Sequence, residues 1–393
     1  MRLIGTISRG VRCPIIKQGD DLVEIVAKSV IDAAEESGFE LRDRDVVGVT
    51  ESVLARAQGN YASLDQIAAD VKTKFPKGVV GLTLPILSRN RFSQILKGIS
   101  MGVDKIYLVL SYPADEVGNP LITWEQLDEK NVNPYTDVFT EDEFRAVFGE
   151  VIHPFTGVDY INYYKELTCG KATIIMANDP REVLKYTKEV ITADIHTRFR
   201  SKKSLYAAGA EKVLGIDEIL TESVNGSGFH PQYGLLGSNL ATDTTVKLFP
   251  KDCQEFVEKT QVRFKELCGK TIEVMIYGDG AFKDPVGGIW ELADPVVSPG
   301  FTSGLEGTPN EIKLKYLADN AIGDKAGKEA GEAIKEMIKN KQDNLVNSMA
   351  SQGTTPRRLT DLLGSLCDLT SGSGDKGTPI ILVQGYFDTF ADK

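Results

Sequence analysis

Residues 271–285 read TIEVMIYGDGAFKDP. Ile272, Val274 and Ile276 recur at every second position, the period of a buried strand. The strand runs into Gly278-Asp279-Gly280. Glycine on either side lets the backbone turn sharply and leaves the carboxylate exposed at the strand end. Such a carboxylate meets water, a metal or a substrate, or it closes an Asx turn.

Working outward, the 393 residues have room for one large domain or two to three ordinary ones. The net charge of −11 and pI near 5.0 argue against a nucleic-acid groove, which needs a basic face. They leave nucleotides open, because backbone N–H groups and metal ions can hold phosphates. Cys13, Cys169, Cys253, Cys268 and Cys367 are scattered without zinc spacing, as expected of reduced thiols in a cytosolic protein. With only His153, His196 and His230, a multi-histidine metal site is not expected. The N-terminal MRLIGTISRGVRCPII has no signal-peptide core, and no apolar run reaches membrane-spanning length. The expectation is a cytoplasmic protein with no nucleic-acid or membrane partner.

The pattern along the chain predicts α+β (mixed α/β) content. Strands are expected at Leu3–Ile7, Asp45–Thr50, Leu82–Leu87, Lys105–Leu110, Ala172–Ala177 and Ile380–Gln384, with two more at Gly215–Val224 and Tyr233–Leu236. Helical spacing marks Asp20–Ala34, Ser63–Thr73, Ser88–Gly102, Cys253–Cys268 and Leu359–Leu369. The change of character near residue 82 divides the chain into a core, 1–81 and 205–393, and an inserted α/β subdomain, 82–204.

Three glycine-rich loops carry a carboxylate or hydroxyl at the end of an apolar element: Gly237–Thr245, Gly278–Gly280 and Gly372–Gly377. None is a Walker loop. Asp243 and Asp279 are suited to share one hard divalent ion, since magnesium takes one or two carboxylates plus phosphate oxygens.

Several motifs occur in order. They are Pro14-Ile15-Ile16-Lys17-Gln18-Gly19-Asp20-Asp21-Leu22, Glu40-Leu41-Arg42-Asp43 and VTESVLARAQG at 49–59. Tyr233-Gly234, Asn239-Leu240-Ala241-Thr242-Asp243, KLFPKD at 247–252, the Asp279 loop and Gly372–Pro379 follow. Together they resemble the gamma-glutamyl ligases of the deazaflavin coenzyme F-420. The resemblance implies a mixed α+β core that dimerises. It implies an enzyme that uses GTP, or another NTP, with Mg or Mn to join an amino acid, glutamate in the family, to a small carboxylate acceptor. Carried over, Asp243 and Asp279 bind the metal and Asn239 orients its loop. Cys13, Pro14, Ile15, Ile16, Glu51, Ser52 and Arg56 lie along the nucleotide, as do Gly372, Ser373, Gly374, Asp375, Lys376 and Gly377. Residues 82–204 become the candidate acceptor-binding region.

The chain departs from the family pattern at four places. Gly280 stands for Thr and Ser373 for Gln, the two ligands of a second metal; Tyr233 stands for His and Arg56 for Lys. A divergent ligase with a different acceptor and a non-catalytic nucleotide- or metabolite-binding relative are the two readings that follow.

Overall fold

The computed structural model describes residues 3–153, 156–278, 282–283, 290–291, 298–323, 325–345, 347–351, 357–371 and 375–392. Two main sheets organise an α+β fold. The first has four strands, β1 (Ile7–Val11), β2 (Val46–Thr50), β12 (Glu273–Tyr277) and β15 (Ile380–Gln384), in the order β1-β15-β2-β12. β12 runs parallel to β2, and β15 runs antiparallel to both its neighbours. β15 reads IILVQ and every residue is buried, as a strand covered on both faces requires.

Helices α1 (Leu22–Ser37) and α9 (Cys253–Cys268) cover one face. Asp21 caps α1 by accepting from Glu24 N at 3.1 Å, and Gly38 ends it at φ 68°. Its buried stripe is Leu22, Val26, Ala27, Val30 and Ala34. Helix α12 (Leu359–Ser371) covers the other face. It approaches β2 so closely that a Cβ on Gly48 would stand 2.5 Å from Cys367 Sγ.

The second sheet contains β4 (Val79–Thr83), β5 (Lys105–Leu110), β6 (Phe139–Thr140), β7 (Ala172–Met176), β8 (Glu189–Thr192) and β9 (Lys212–Gly215). Their order is β6-β7-β5-β4-β8-β9, parallel throughout except at β6. Helices α3 (Leu64–Lys74), α4 (Phe92–Gly102) and α7 (Tyr160–Leu167) pack on one side and α8 (Arg198–Ala207) on the other, with α5 (Trp124–Lys130) and α6 (Glu141–Phe148) beyond β5. This sheet opens at Val79 and closes at Gly215, so it is wider at both ends than 82–204. Ile67 and Val71 of α3 also join the core of the second sheet.

A small sheet bridges the two. β3 (Tyr61–Ser63) pairs with β11 (Thr245–Lys247), which forms a hairpin with β10 (Asn239–Thr242). Two-residue strands β13 (Phe282–Lys283) and β14 (Trp290–Glu291) pair with each other, and α10 (Leu314–Asn320) and α11 (Gly327–Lys339) precede α12. Among the described residues, no helix is long and apolar enough to cross a membrane.

Four expected strands are corrected, and the one placed at Leu82–Leu87 is Val79–Thr83, the chain leaving the sheet at Leu84 with φ 53°. The first strand is Ile7–Val11 rather than Leu3–Ile7; Leu3 and Ile4 are exposed, and ISRGV is held extended by β15 rather than by its own apolar pattern. Gly215–Val224 forms a 3-10 turn at Ile216–Glu218, and Tyr233–Leu236 is a turn packed on His230, whose ring stacks on Tyr233 at 4.6 Å.

Candidate active site

Strand register brings four distant stretches to one end of the first sheet. Val11, Ile380, Val49 and Ile276 form a row across its four strands. Just beyond that row the chain continues into Arg12–Pro14 from β1 and Thr50–Ser52 from β2. Tyr277 and Gly278 leave β12 there, and Lys376–Pro379 enter β15. Thr50 N donates to Pro379 O at 3.1 Å, and Arg12 Nε donates to Lys376 O at 3.3 Å. Cys13, Pro14, Glu51, Ser52, Asp375, Lys376 and Gly377 therefore gather at a single sheet end. Asp279 and Gly372–Gly374 lie outside the described residues.

Two cavities flank the loop after β1. Cys13, Pro14 and Lys376 line a cleft of 660 Å³ together with Asp32 and Glu36 of α1. Burial pushes the half-buried Cys13 thiol above its ordinary pKa. Ile15 points outward at 81 % exposure, whereas Ile16 is buried and anchors the loop in the α1 core.

The second cavity, 610 Å³, lies against helix α2 (Glu51–Gln58). Lys17 and Gln18 form one wall, Arg56 and Tyr61 a second, and the β10–β11 hairpin with Lys247 a third. The local sequence explains how these meet. Gly59 ends α2 at φ 63°, and any side chain there would collide with Gln18. Gly19 N donates to Ala57 O at 2.8 Å, which docks the loop on the end of α2. Asn60 is 2 % exposed and accepts from Phe229 N at 3.0 Å while donating to Phe249 O at 2.7 Å. That amide pins the α2–β3 junction to both flanking segments.

The hairpin has a defined polarity. Asn239 pairs with Lys247, and Lys247 pairs with Tyr61, just past the end of α2. Lys247 Nζ donates to Ser52 Oγ. Asp243 lies at the opposite, turn end, where it is exposed and its carbonyl accepts from Lys97 Nζ at 3.4 Å. The hairpin group that meets the β2 end is thus an ammonium, with Asn239 beside it in register. Asn239 accepts from Leu240 N at 2.9 Å, and Leu240 N also donates to Asn90 O at 2.8 Å, which ties the hairpin to the loop after β4. The C-terminal edge of the second sheet consequently stands next to this cavity. The loop after β5 supports that edge. Asp115, buried and pushed up to about 6 by desolvation, accepts from Leu87 N and Asn119 Nδ2, both at 2.8 Å.

Among the described residues, no group of three or more His, Cys, Asp or Glu side chains could hold a metal ion. Asp243 is an exposed carboxylate at the hairpin turn, and Asp279, its expected partner, lies outside the described residues.

The family model described as F420-0:Gamma-glutamyl ligase matches residues 10–385, nearly the whole chain and both sheets. The chain belongs to the F420-0:gamma-glutamyl ligase family. A comparison with curated proteins returned no match. Membership in a ligase family makes this an enzyme fold built for amide formation, and the matched span includes the sheet end just described. Within this ligase fold, Lys17, Gln18, Tyr61 and Lys247 line the cavity without having been singled out from the sequence. Lys17 and Lys247 nonetheless stand inside two of the family motifs, PIIKQGDDL and KLFPKD; that position was the available signal.

Proposed function

We propose that this family member is an amide-forming ligase that uses GTP and a divalent metal to join an amino acid, glutamate by family resemblance, to a small carboxylate acceptor. The observation that supports the reading is the convergence at one sheet end. Cys13-Pro14, Glu51-Ser52 and Lys376-Gly377 are nucleotide positions by resemblance, and they come from three separate strand ends. Strand ends that gather loops in this way form ligand crevices in α/β folds.

In the proposed reaction, an acceptor carboxylate oxygen attacks the terminal phosphorus. The bond from that phosphorus to the bridging oxygen breaks, giving a nucleoside diphosphate and an acyl phosphate. The amine nitrogen then attacks the acyl carbon, phosphate leaves, and the amine proton passes to solvent. Asp243 and Asp279 would hold the metal, whose chemistry is to neutralise charge on the transferring group. The loop of the second sheet that touches the hairpin, Arg89–Arg91, is the proposed flank of the acceptor site. A homodimer in the cytoplasm is part of the same proposal.

The test is phosphate release. It is expected to require nucleotide, divalent metal, amino acid and acceptor together. Gly280 and Ser373, which remove two family ligands, favour a second reading, a nucleotide-binding relative without turnover. Nucleotide binding with no phosphate release across a broad acceptor panel would select that second reading.

A further inference from the structure

The second sheet changes direction at one place. From β4 the chain builds outward through β5 to β7, then returns across both to set β8 on the other side of β4. The helix that follows β4, α4, and the helix that follows β8, α8, accordingly pack on opposite faces. Where neighbouring parallel strands send the chain to opposite faces, their carboxyl ends part and leave a crevice, the usual ligand position in doubly wound sheets.

Glu116 spans that crevice. It belongs to the loop after β5, one residue past the anchored Asp115, and reaches over the end of β4 to the start of α8. Its carboxylate accepts from Ile195 N, and from His196 N at 3.1 Å. The N-cap of α8 makes no side-chain hydrogen bond, so this glutamate fills an oxyanion seat of backbone N–H groups at a helix start. His196 and Thr197 are exposed, and the seat opens to solvent.

Two buried acceptors lie beside the seat. Asp194 is 0 % exposed; its Oδ2 accepts from Thr197 Oγ1 and Ser201 Oγ, both at 2.7 Å, and its Oδ1 has no partner. Thr83, at the end of β4 and in register with Thr192 of β8, is equally buried, and its hydroxyl is unpartnered. Thr197 Oγ1 also stands 3.4 Å from Glu116 Oε2. A hydroxyl has one proton to give, so two carboxylates meet at this oxygen and only one is served. Among the described residues, neither carboxylate has a cationic partner in an ion pair. Burial, and after it the Glu116 charge, push the Asp194 carboxyl above its ordinary pKa. The group that completes this chemistry is an ammonium, with several protons to donate, next to an oxyanion in the backbone seat.

We propose that the crevice at the carboxyl ends of β4 and β8 binds a free α-amino acid, its carboxylate taking the seat that Glu116 fills and its ammonium meeting Asp194. The two groups of an α-amino acid hang from one carbon, which suits two carboxylates that meet at a single hydroxyl. Glu116 is then a built-in competitor that swings aside as the ligand enters. This assignment does not rest on the ligase reading; that the amino acid held here is the one the ligase joins does.

The experiment is calorimetric titration of the full chain with L-glutamate. Glu116→Ala binds it at least about fivefold more tightly than the wild-type chain, because the competent state no longer has to displace a side chain. Asp194→Asn, made in the Glu116→Ala chain, weakens binding by about tenfold or more, as loss of a charge-assisted contact requires. Glutarate, which is L-glutamate without its ammonium group, binds Glu116→Ala at least about tenfold more weakly than L-glutamate for the same reason. Glu129→Ala, which removes an exposed carboxylate from α5, leaves the affinity unchanged. Should the Asp194 variant melt at a lower temperature, Glu116→Ala and the glutarate comparison carry the test, since a gain in affinity is not a product of unfolding. Equal or weaker L-glutamate binding in Glu116→Ala overturns the proposal, and so does glutarate binding as tightly as L-glutamate. Phosphate release with L-glutamate, combined with no gain in Glu116→Ala, sinks this inference and spares the ligase reading. The gain in Glu116→Ala without phosphate release for any acceptor does the reverse.

Discussion

Lys247 donates its ammonium to the hydroxyl of Ser52, across 195 residues of chain. The contact joins the hairpin of the small sheet to the first turn of the helix that leaves β2. It fixes which end of the hairpin faces the first sheet, and it places a positive charge, rather than a carboxylate, beside that sheet's C-terminal edge. The predictions below concern the parts that hold this arrangement together.

Asp243→Ala and Asp279→Ala are expected to remove metal-stimulated nucleotide binding. Asp243 is exposed in a turn, so its removal leaves the melting temperature within a degree or two, in keeping with roughly 0.5 kcal/mol for a surface change. Nucleotide titrations with and without manganese check this. Equal metal stimulation in the Asp243 variant removes that carboxylate from the site.

Asn60→Ala strips the partners from Phe229 N and Phe249 O, both held by the buried amide. Two orphaned groups, one buried and one partly buried, should cost about 2–6 kcal/mol in denaturant unfolding, since each unsatisfied group costs roughly 1–3 kcal/mol. The same variant should weaken nucleotide binding, because Tyr61 and Arg56 flank the junction that Asn60 pins. Unchanged stability would show that water replaces the amide at no cost.

Gly48→Ala pushes a methyl group to within 2.5 Å of Cys367 Sγ in the packed interior. Overpacking of this kind costs roughly 1–3 kcal/mol. Adding Cys367→Ala should recover part of the loss, and a double-mutant cycle by urea denaturation measures the coupling. Strictly additive effects would mean that the helix shifts away instead.

Asp115 gives a pH signature. Burial raises its folded pKa from 3.8 to about 6. Between those values the folded chain holds the proton and the unfolded chain has lost it, so stability falls as pH rises from about 4 to 6 and is flat above. The full swing is of order 3 kcal/mol. Asp115→Asn should lack this slope, whatever its absolute stability. Denaturation midpoints at pH 4.5 and pH 7, compared between the two chains, decide it; parallel pH profiles would refute the assignment.

Much of the fold could be read from residue patterns. Lys105–Leu110 and Ile380–Gln384 match their strands to the residue, because interior strands are continuous apolar runs with sharp ends. The helix over Cys253–Cys268 matches for a similar reason, its apolar stripe being unbroken. The first strand was misplaced because its extension is imposed by a partner at the other end of the chain. At the site, the motif order of the sequence pointed to the loops after β1 and β2 and before β15, which the sheet register brings to one end. The cationic cavity could not be found in this way, since Lys247 meets Ser52 only through the register of β11 on β3, and no local pattern encodes that pairing.

The position of β15 has a consequence for how the molecule is made. The ribosome delivers β1 and β2 early, and they are not neighbours in the sheet; the strand that fits between them is one of the last to be synthesised. Until it emerges, both waiting strands keep unpaired backbone edges, a state open to misassembly. The candidate nucleotide end is therefore completed only after most of the polypeptide has been translated, and a nascent chain stalled short of residue 380 lacks the strand that joins its two halves.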